Sequence, residues 1–382
     1  MSKVFIEEST LTAIGNAIRS KTGGTDLIAP LNMPTEINGI STGGGTLPSE
    51  ALNITGSCIN RFSYNGWNWF INNYGSQVTT NNITDCTKLF YFNNEITTIP
   101  FSINCDSAQT YIPCTSMFDG CKQLTALPEI TITPFTFENI FHSCSYLREI
   151  PDSYSETFDF TYLNSYFGAI CWYVFAECFS LRKIPSGFLK KIYCLTTNKN
   201  RHIYYHGFQN CYCLDEIVGL PIGTAVISGN AFTETFTRCH RVKNIIFDTN
   251  EDGTAKTAQW TNQVIDLTEG VGYCYSATDM TNYNSGITAD KEVDSVTTYD
   301  ALKEDPDWFA SALTYSRYDK ASAIATINSL PDTSAYLATT GGTNTIKFQG
   351  GAGGGTDNGA ISAMTEEEIA VATAKGWSVA YA

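Results

Sequence analysis

The sequence carries little charge and little histidine. Asp, Glu, Lys and Arg make up 16% of its 382 residues, against about 25% in an average globular domain, and only four histidines are present. With 23 basic and 38 acidic residues, the chain lacks the basic surface that is typical of proteins bound to nucleic acid or adsorbed to anionic lipid. We therefore expect neither nucleic acid nor a lipid surface among its partners.

Long apolar runs are also missing. The longest one, residues 167–176, is about half the length that a helix needs to cross hydrocarbon, so no membrane insertion is expected. The opening residues MSKVFIEEST are acidic and polar and lack the hydrophobic core of a secretory signal. This predicts a protein that matures in the cytoplasm, where thiols stay reduced. Its 13 cysteines, an odd number, are therefore not expected to form a disulfide framework.

What the sequence does contain is a repeated motif, Phe-x2-Cys-x2-Leu-x2-Ile-Pro. Its six copies have the cysteines Cys86, Cys121, Cys144, Cys178, Cys211 and Cys239. The last two copies lack the proline. In the first copy Ile83 replaces Phe, and an insertion separates Leu89 from Ile99 and Pro100. The spacing predicts Phe, Cys and Leu on one face of a short helical turn that leads into a strand, which the proline ends.

Each copy is too small to bury its own apolar face, so neighbouring copies are expected to stack. The repeat cysteines then become small buried apolar side chains in a common core. A metal-binding or redox role is the alternative. It is disfavoured because the cysteine spacing follows the repeat and not a ligand set.

The copies MFDGCKQLTALP and VFAECFSLRKIP resemble the leucine-rich repeats of the BspA type, found in bacterial surface proteins and gut-phage tail proteins. The resemblance covers roughly residues 80–250 and is specific for fold, not for ligand. The N-terminal segment FIEESTLTAIGNAIRSKTGGTDLIAPLNMPTEINGI is similar to the short N-terminal segment of many phage tail and baseplate proteins. The C-terminal segments INSLPDTSAYL, TNTIKFQG and MTEEEIAVATAKGWSVAYA look like the end of phage-type repeat proteins. The implied fold class is α/β, a β-rich right-handed leucine-rich-repeat solenoid with a helical N-terminal anchor and an α/β C-terminal cap.

We expect three parts. Residues 1–46 would be a helical segment and linker for virion docking or oligomerisation, the alternative being a partly ordered tail. Residues 47–270 would be the solenoid, which opens with a cap helix at 65–75; a Trp-rich ligand platform is the alternative for that helix. Residues 271–382 would be an α/β cap or module.

The pattern in the last part predicts several elements. Helices are expected at 302–313 and 321–330, and a strand at 343–348. Thr365 and Glu368 predict a capping box that opens a helix, which is followed by a closing strand at 377–381.

Three motifs suggest bound ligands but fit poorly. His202 and His206, followed by two cysteines at 211 and 213, lack the glutamate of a metalloprotease helix. DTNEDGTAKTAQ opens like a calcium loop but ends on Gln259 where a glutamate is needed, so a hairpin at Asp252-Gly253 is favoured. GGAGGG at 350–355 lacks the ending of a phosphate loop. No metal and no cofactor are therefore expected. No carboxylate pair and no Ser/His/Asp set stands out either, which predicts a protein that is not an enzyme.

The two residues after each repeat leucine are expected to face solvent, and we call this set the charged strip. Its members are Arg148, Glu149, Arg182, Lys183, Asp215, Glu216, Lys243 and Asn244. If the copies stack in register, Glu149, Lys183 and Glu216 form an alternating ladder with steps of about 5 Å. The strip is predicted to be a polar ligand-binding face, or simply a solvated and self-neutralising one.

The resemblance implies a phage virion protein of the tail, baseplate or fibre, assembled in the host cytoplasm. It would bind a bacterial surface glycan or protein through the repeats and other virion proteins through residues 1–46. A homo-oligomer is expected, a trimer by analogy with tail appendages, although no coiled-coil heptad supports it. The alternatives are a purely structural virion decoration without a receptor, a glycan depolymerase, and a host-encoded surface adhesin.

Overall fold

The computed structural model describes most of the chain beyond its first fifty residues. The described residues are 52–63, 66–134, 137–159, 172–191, 204–222, 226–227, 231–239, 242–268, 271, 318–351 and 361–381. The chain divides into two units between Leu52 and Asn53, and the fold described below is that of the second. The predictions for residues 1–46, for the helix at 302–313, for His202 and for most of the GGAGGG segment lie outside the described residues.

The described residues contain six α-helices and eleven short strands. The α-helices are α1 Trp67–Tyr74, α2 Tyr154–Thr157, α3 Ser186–Lys191, α4 Lys320–Ser329, α5 Ser334–Thr340 and α6 Glu366–Ala374, and a 3-10 turn, Gly75–Gln77, follows α1. The strands are β1 Asn53–Ser57, β2 Thr79–Asp85, β3 Ile103–Asn104, β4 Ile130–Thr131, β5 Glu216–Leu220, β6 Asn244–Phe247, β7 Val264–Leu267, β8 Asn344–Phe348, β9 Gly350–Gly351, β10 Ile361–Ser362 and β11 Trp377–Tyr381.

The predicted fold class, a β-rich right-handed leucine-rich-repeat solenoid, is wrong. Within the described residues the strands form five separate parallel sheets: β1–β2, β3–β4, β5–β6, β9–β10 and the three-stranded β7–β8–β11, in which β8 is central. The fold is instead mixed α/β, with six helices and sheets of two or three short strands. No continuous sheet runs along the motif copies in this part of the chain, because most of each copy folds as turns.

The turns have a regular backbone pattern that excludes long strands. In each copy, the residues two before and two after the central phenylalanine have left-handed backbone dihedrals, which a strand does not accommodate. These pairs are Lys88 and Phe92, Ser116 and Gly120, Asn139 and Ser143, Tyr173 and Glu177, His206 and Asn210, and Glu234 and Arg238, with φ between 51° and 74°. The expected helical turn within the motif is therefore wrong as well.

The central phenylalanines stack in a single column. Its rings are Phe62, Phe90, Phe118, Phe141, Phe175, Phe208 and Phe236, with successive centroids 5.3–6.1 Å apart and planes within 16° of parallel. Backbone hydrogen bonds follow the column. The amide N–H of Phe118, for example, donates to the carbonyl of Ile140 at 3.0 Å, and that of Phe141 to Val174 at 3.1 Å. Neighbouring copies thus share apolar burial and satisfy one another's amide groups.

The first copy of the motif has a different register from the one predicted. Ile83 lies in β2, whereas Phe90 is the ring that stacks on Phe118 at 5.3 Å. Counting from Phe90 places Asn93 where the other copies have cysteine, and Ile96 where they have leucine. This copy therefore needs no insertion before Ile99.

The repeat cysteines are buried, as predicted, but they also donate hydrogen bonds. The thiols of Cys121, Cys144, Cys178, Cys211 and Cys239 each donate to the carbonyl of the preceding phenylalanine of the column, with Sγ···O distances of 3.0–3.2 Å. Asn93 does the same through its amide, 2.7 Å from the carbonyl of Phe62. Burial raises the pKa of the Cys144 and Cys211 thiols well above the usual range, so both stay protonated donors.

A helix covers the start of the column. In α1, Trp67 is buried against Phe62 and Phe90, with ring centroids 5.4 Å and 5.6 Å away, which confirms the cap helix and leaves this indole unavailable as a ligand platform. Beyond the column, the predicted elements α4, β8, α6 and β11 are confirmed within a residue or two. The predicted capping box at the start of α6 is present in full, with Thr365 and Glu368 each bonding the other's backbone N–H.

Candidate binding surface

Backbone contacts connect successive pairs of the charged strip. The first residues of the pairs in neighbouring copies are connected by backbone hydrogen bonds. The N–H of Arg182 donates to the carbonyl of Arg148 at 2.7 Å, and the N–H of Asp215 donates to the carbonyl of Arg182 at 3.4 Å. The N–H of Lys243 then donates to Asp215 at 2.9 Å. Of the second residues, Glu149 forms a parallel bridge with Lys183.

The strip's side chains are mainly solvated. Of its eight residues, Asp215 and Asn244 are half-buried and the others are exposed. The Nζ of Lys183 lies 3.1 Å from both carboxylate oxygens of Asp152, so its charge is compensated by a residue beside the strip. Glu216 pairs with Asn244 in the β5–β6 sheet, so its neighbour in that sheet carries no charge. Exposed pairs of this kind contribute little free energy and impose little geometry on a ligand.

A second surface, which the sequence analysis missed, lies beside the phenylalanine column. We call it the tyrosine–histidine ridge and define it by His142, Trp172, Tyr173, Tyr205 and His206. The rings of Tyr173 and His206 are stacked, 4.7 Å apart and 5° from parallel. The rings of Tyr205 and His142 each meet the ring of Tyr173 edge-on at 5.6 Å. Tyr205 and Trp172 are tilted relative to each other, with centroids 6.0 Å apart.

The turns explain why these rings gather in one place. Tyr173 and His206 occupy the left-handed position two residues before the column phenylalanine in adjacent copies. Trp172 and Tyr205 occupy the position three residues before that phenylalanine. Since adjacent copies are held in register by the column, equivalent positions become neighbours. His206 is buried, while Trp172, Tyr173 and Tyr205 remain half-exposed. Aligning the copies on their phenylalanines would have revealed this cluster from the sequence.

Carboxylates and amides line the ridge. The Nδ1 of His142 lies 2.8 Å from Asp119, and the Nδ1 of His206 lies 3.4 Å from Glu234. The side-chain amide of Gln209 donates to the same Glu234 at 2.9 Å. Partial burial and the neighbouring Tyr205 raise the pKa of the Tyr173 phenol, which keeps a neutral hydroxyl at this point of the ridge.

Asp119, His142 and Ser143 form a sequence of contacts that superficially matches a Ser-His-Asp set. The Oγ of Ser143 lies 3.4 Å from the Nε2 of His142, but it donates to Glu177 at 2.6 Å instead. The amide N–H of Ser143 donates to Ala176 at 2.8 Å, so it cannot serve as an oxyanion donor next to the hydroxyl. This arrangement orients the imidazole and does not activate a nucleophile.

The other ligand motifs can now be placed. Cys211 serves as a donor in the column and Cys213 is buried, while His206 belongs to the ridge. Asp252-Gly253 forms the tight turn of a hairpin, with Thr249 bridged antiparallel to Ala255, so the hairpin prediction is confirmed and the calcium loop is not formed. The described residues contain no group of three or more His, Cys, Asp or Glu side chains that could hold a metal ion.

No protein-family model, curated protein or solved structure matches this chain. None of the helices in the described ranges combines the length and the apolar character that a membrane span requires.

Proposed function

We propose that this chain is a phage virion protein of the tail, baseplate or fibre, and that it binds a bacterial surface glycan through the tyrosine–histidine ridge. One observation carries the binding site: half-exposed aromatic rings of adjacent copies lie within about 6 Å of one another beside carboxylate and amide groups. The resemblance of the motif copies and of both flanking segments to phage tail proteins supports the virion assignment.

The ridge chemistry suits a sugar. The flat rings of Tyr173, Tyr205 and Trp172 offer apolar faces against which the C–H face of a pyranose can pack, and a tyrosine loses little conformational entropy when it is fixed. Glu234 and Gln209 offer acceptors and donors for hydroxyl groups. The column behind the ridge is packed, so the rings are already ordered before a ligand arrives, which lowers the cost of binding.

The other parts of the proposal concern assembly. Residues 1–46 would contact other virion proteins, and the chain would act as a homo-oligomer, so that several weak sites become firm attachment by avidity. The protein is proposed to be located in the virion and to act without catalysis, cofactor or metal. Nucleic acid is not proposed as a partner, since acidic residues outnumber basic ones 38 to 23.

The test uses the labelled full-length chain on a panel of intact bacteria, before and after enzymatic removal of surface glycans. A double variant, Tyr173→Ala with Tyr205→Ala, removes the rings of the ridge. The matched control, Arg182→Ala with Lys183→Ala, removes charge from the strip in the same copy of the motif. Melting temperatures of all three proteins are measured first, so that loss of folding is distinguished from loss of contact.

We expect strain-selective binding that disappears with the glycan. Loss of two packed rings should weaken it by at least about 30-fold, which corresponds to roughly 2 kcal/mol, whereas the control should stay within about threefold. Loss of binding in the strip variant, with binding kept in the ridge variant, would show that the charged strip and not the ridge contacts the glycan. Binding to no strain, by a chain that still joins purified particles, would indicate a structural decoration. Release of reducing ends from the glycan would indicate a depolymerase.

A further inference from the structure

Two cysteines near the start of the column lie in contact and differ from the donors described above. Cys86 directly follows β2, and Cys105 directly follows β3 and bridges to Ile83 of β2. Their sulfur atoms are 3.7 Å apart. The two residues thus lie at equivalent ends of neighbouring strands, where only a small movement of the side chains separates thiol contact from a sulfur–sulfur bond.

Exposure sets this pair apart. Among the ten cysteines described, nine are buried and Cys105 alone is partly exposed. The chain that follows it, residues 106–110, is half-buried to exposed. Cys105 is therefore the member of the pair that an external reagent is expected to meet first, whereas Cys86 is buried. The repeat cysteines such as Cys121 offer no comparable pair, because their thiols point to backbone carbonyls.

We propose that Cys86 and Cys105 form a disulfide when the folded chain meets an oxidising small disulfide. The proposal goes beyond receptor binding and does not depend on it. A chain made in a reducing compartment would keep both thiols, and release into oxidising surroundings would close the bond. The pair is thus a modification site that reports, and responds to, the redox state around the protein.

The chemistry balances with oxidised glutathione as the oxidant. The thiolate of Cys105, formed by loss of its proton to solvent, attacks one sulfur of glutathione disulfide and expels a glutathione thiolate, which takes up a proton. Cys86 then loses its proton, and its thiolate attacks the Sγ of Cys105 in the mixed disulfide. The second glutathione leaves and is protonated. Two cysteine thiols are oxidised by two electrons, and one glutathione disulfide is reduced to two thiols.

The bond would strengthen the start of the column. The segment between the two cysteines contains Phe90, whose ring packs between Phe62 and Phe118. Linking Cys86 to Cys105 closes this segment into a loop of about twenty residues, which lowers the entropy of the unfolded chain. Oxidation is therefore expected to raise the melting temperature by about 3 °C or more.

Cys58 is a competing partner, because it could form a disulfide with Cys105 in place of Cys86. Burial raises the pKa of the Cys58 thiol, and the nearby Cys105 adds to that rise, which places Cys58 close to the same exposed sulfur. The pKa of the Cys86 thiol is raised well above its usual range, mainly by the hydrogen bond to Cys105 and to a smaller extent by burial. Cys86 should therefore react only after Cys105 has been activated as a mixed disulfide, which makes closure slower than the first exchange.

The experiment treats the reduced full-length chain with excess oxidised glutathione at pH 8. The remaining free thiols are then alkylated, and the chain is digested and analysed by mass spectrometry. The variants are Cys105→Ser, which removes the exposed sulfur, and Cys58→Ser as the matched control that leaves the proposed pair intact. The melting temperature of each protein is measured before and after oxidation, and again after treatment with dithiothreitol.

The expected result is a peptide linking Cys86 to Cys105, lighter than the sum of the two thiol peptides by the mass of two hydrogen atoms. It should form equally in Cys58→Ser, be absent in Cys105→Ser, and accompany a reversible rise in melting temperature. A link from Cys105 to Cys58 would overturn the proposal. So would a stable glutathione adduct on Cys105 without a link, the absence of any reaction, or a link that lowers the melting temperature.

Discussion

The hydrogen-bond role of the repeat cysteines predicts an unusual order of stability for variants at Cys178. This thiol is buried and donates to the carbonyl of Phe141 at a Sγ···O distance of 3.0 Å. If it were only a small apolar side chain, serine would be the worse replacement, because it would bury a hydroxyl where alanine buries a methyl group. If donation matters, serine keeps the donor and alanine loses it.

The magnitude follows from the contacts. Cys178→Ala removes one hydrogen bond, a loss of about 0.5–1.5 kcal/mol, and leaves a cavity the size of one sulfur atom, for roughly another 1 kcal/mol. The Phe141 carbonyl keeps one partner, the N–H of Cys144 at 3.2 Å, so it is not left fully unsatisfied. Cys178→Ser leaves a smaller cavity and retains a donor, so we expect a free energy of unfolding higher than that of the alanine variant by about 0.5–1 kcal/mol.

The assay is urea unfolding of the wild-type chain and both variants under reducing conditions. A shift of the midpoint with an unchanged slope reports a change in stability and not in the unfolded state. The same pair of substitutions at Cys211, whose thiol donates to Phe175 at 3.0 Å, serves as an independent repeat. If alanine proves equal to or more stable than serine at both positions, the thiols are packing groups and the donor argument is refuted.

Two further predictions concern the core. Phe141→Ala removes a ring that is stacked between Phe118 and Phe175 at 5.9 Å and 5.7 Å. It should lower the free energy of unfolding by about 3–5 kcal/mol in the same urea assay, and a loss below about 1 kcal/mol would show that the stacked phenylalanines do not stabilise the fold. Asp248→Asn replaces a carboxylate that is 4% exposed, lies 3.2 Å from the Nζ of Lys190 and also pairs with Lys256. This substitution should cost about 2 kcal/mol by thermal unfolding at pH 7, whereas an unchanged melting temperature would show that the three charges are structurally neutral.

The sequence was informative about which residues are buried and much less so about backbone conformation. A spacing of three between Phe, Cys and Leu places these side chains on one side of either a helical turn or a series of tight turns. The left-handed positions that decide between the two hold Lys, Tyr, Glu, His and other residues, with a glycine only at Gly120. Glycine and asparagine are the usual signals for such dihedrals, yet they hold only three of the twelve positions, Gly120, Asn139 and Asn210, so the composition does not mark the turns as a repeated pattern.

Tertiary hydrogen bonds explain how these residues accept a disfavoured conformation. A left-handed residue other than glycine costs about 1 kcal/mol or more. In the turns, the N–H of such a residue donates to the next copy: Tyr173 to the carbonyl of Tyr205 at 3.1 Å, and Glu177 to that of Gln209 at 2.8 Å. The compensation thus comes from residues more than twenty positions away, which no local sequence window contains.

The misplaced first copy has a related cause. A cysteine at the fourth motif position indicates an apolar site and therefore favours Cys86, although Asn93 forms the same hydrogen bond as the cysteines of the later copies. Defining that position as a donor to the preceding phenylalanine carbonyl would have selected Asn93 and Phe90. The ridge does not stand out in the sequence, because its residues vary between copies and become neighbours only through the register of the column.

The column and the ridge have separate roles: the column stabilises the fold, and the ridge is proposed to bind the ligand. Successive column phenylalanines are 23 to 34 residues apart in the sequence, yet their rings stay 5.3–6.1 Å apart, so additional residues are accommodated outside the column. Positions two and three before each phenylalanine are held in place by backbone bonds that do not depend on their side chains. Substitution of Tyr173 or Tyr205 should therefore change ligand binding at nearly constant melting temperature, while substitution of Phe141 or Cys178 should lower the melting temperature. A ridge variant that unfolds as readily as a column variant would show that this separation does not exist.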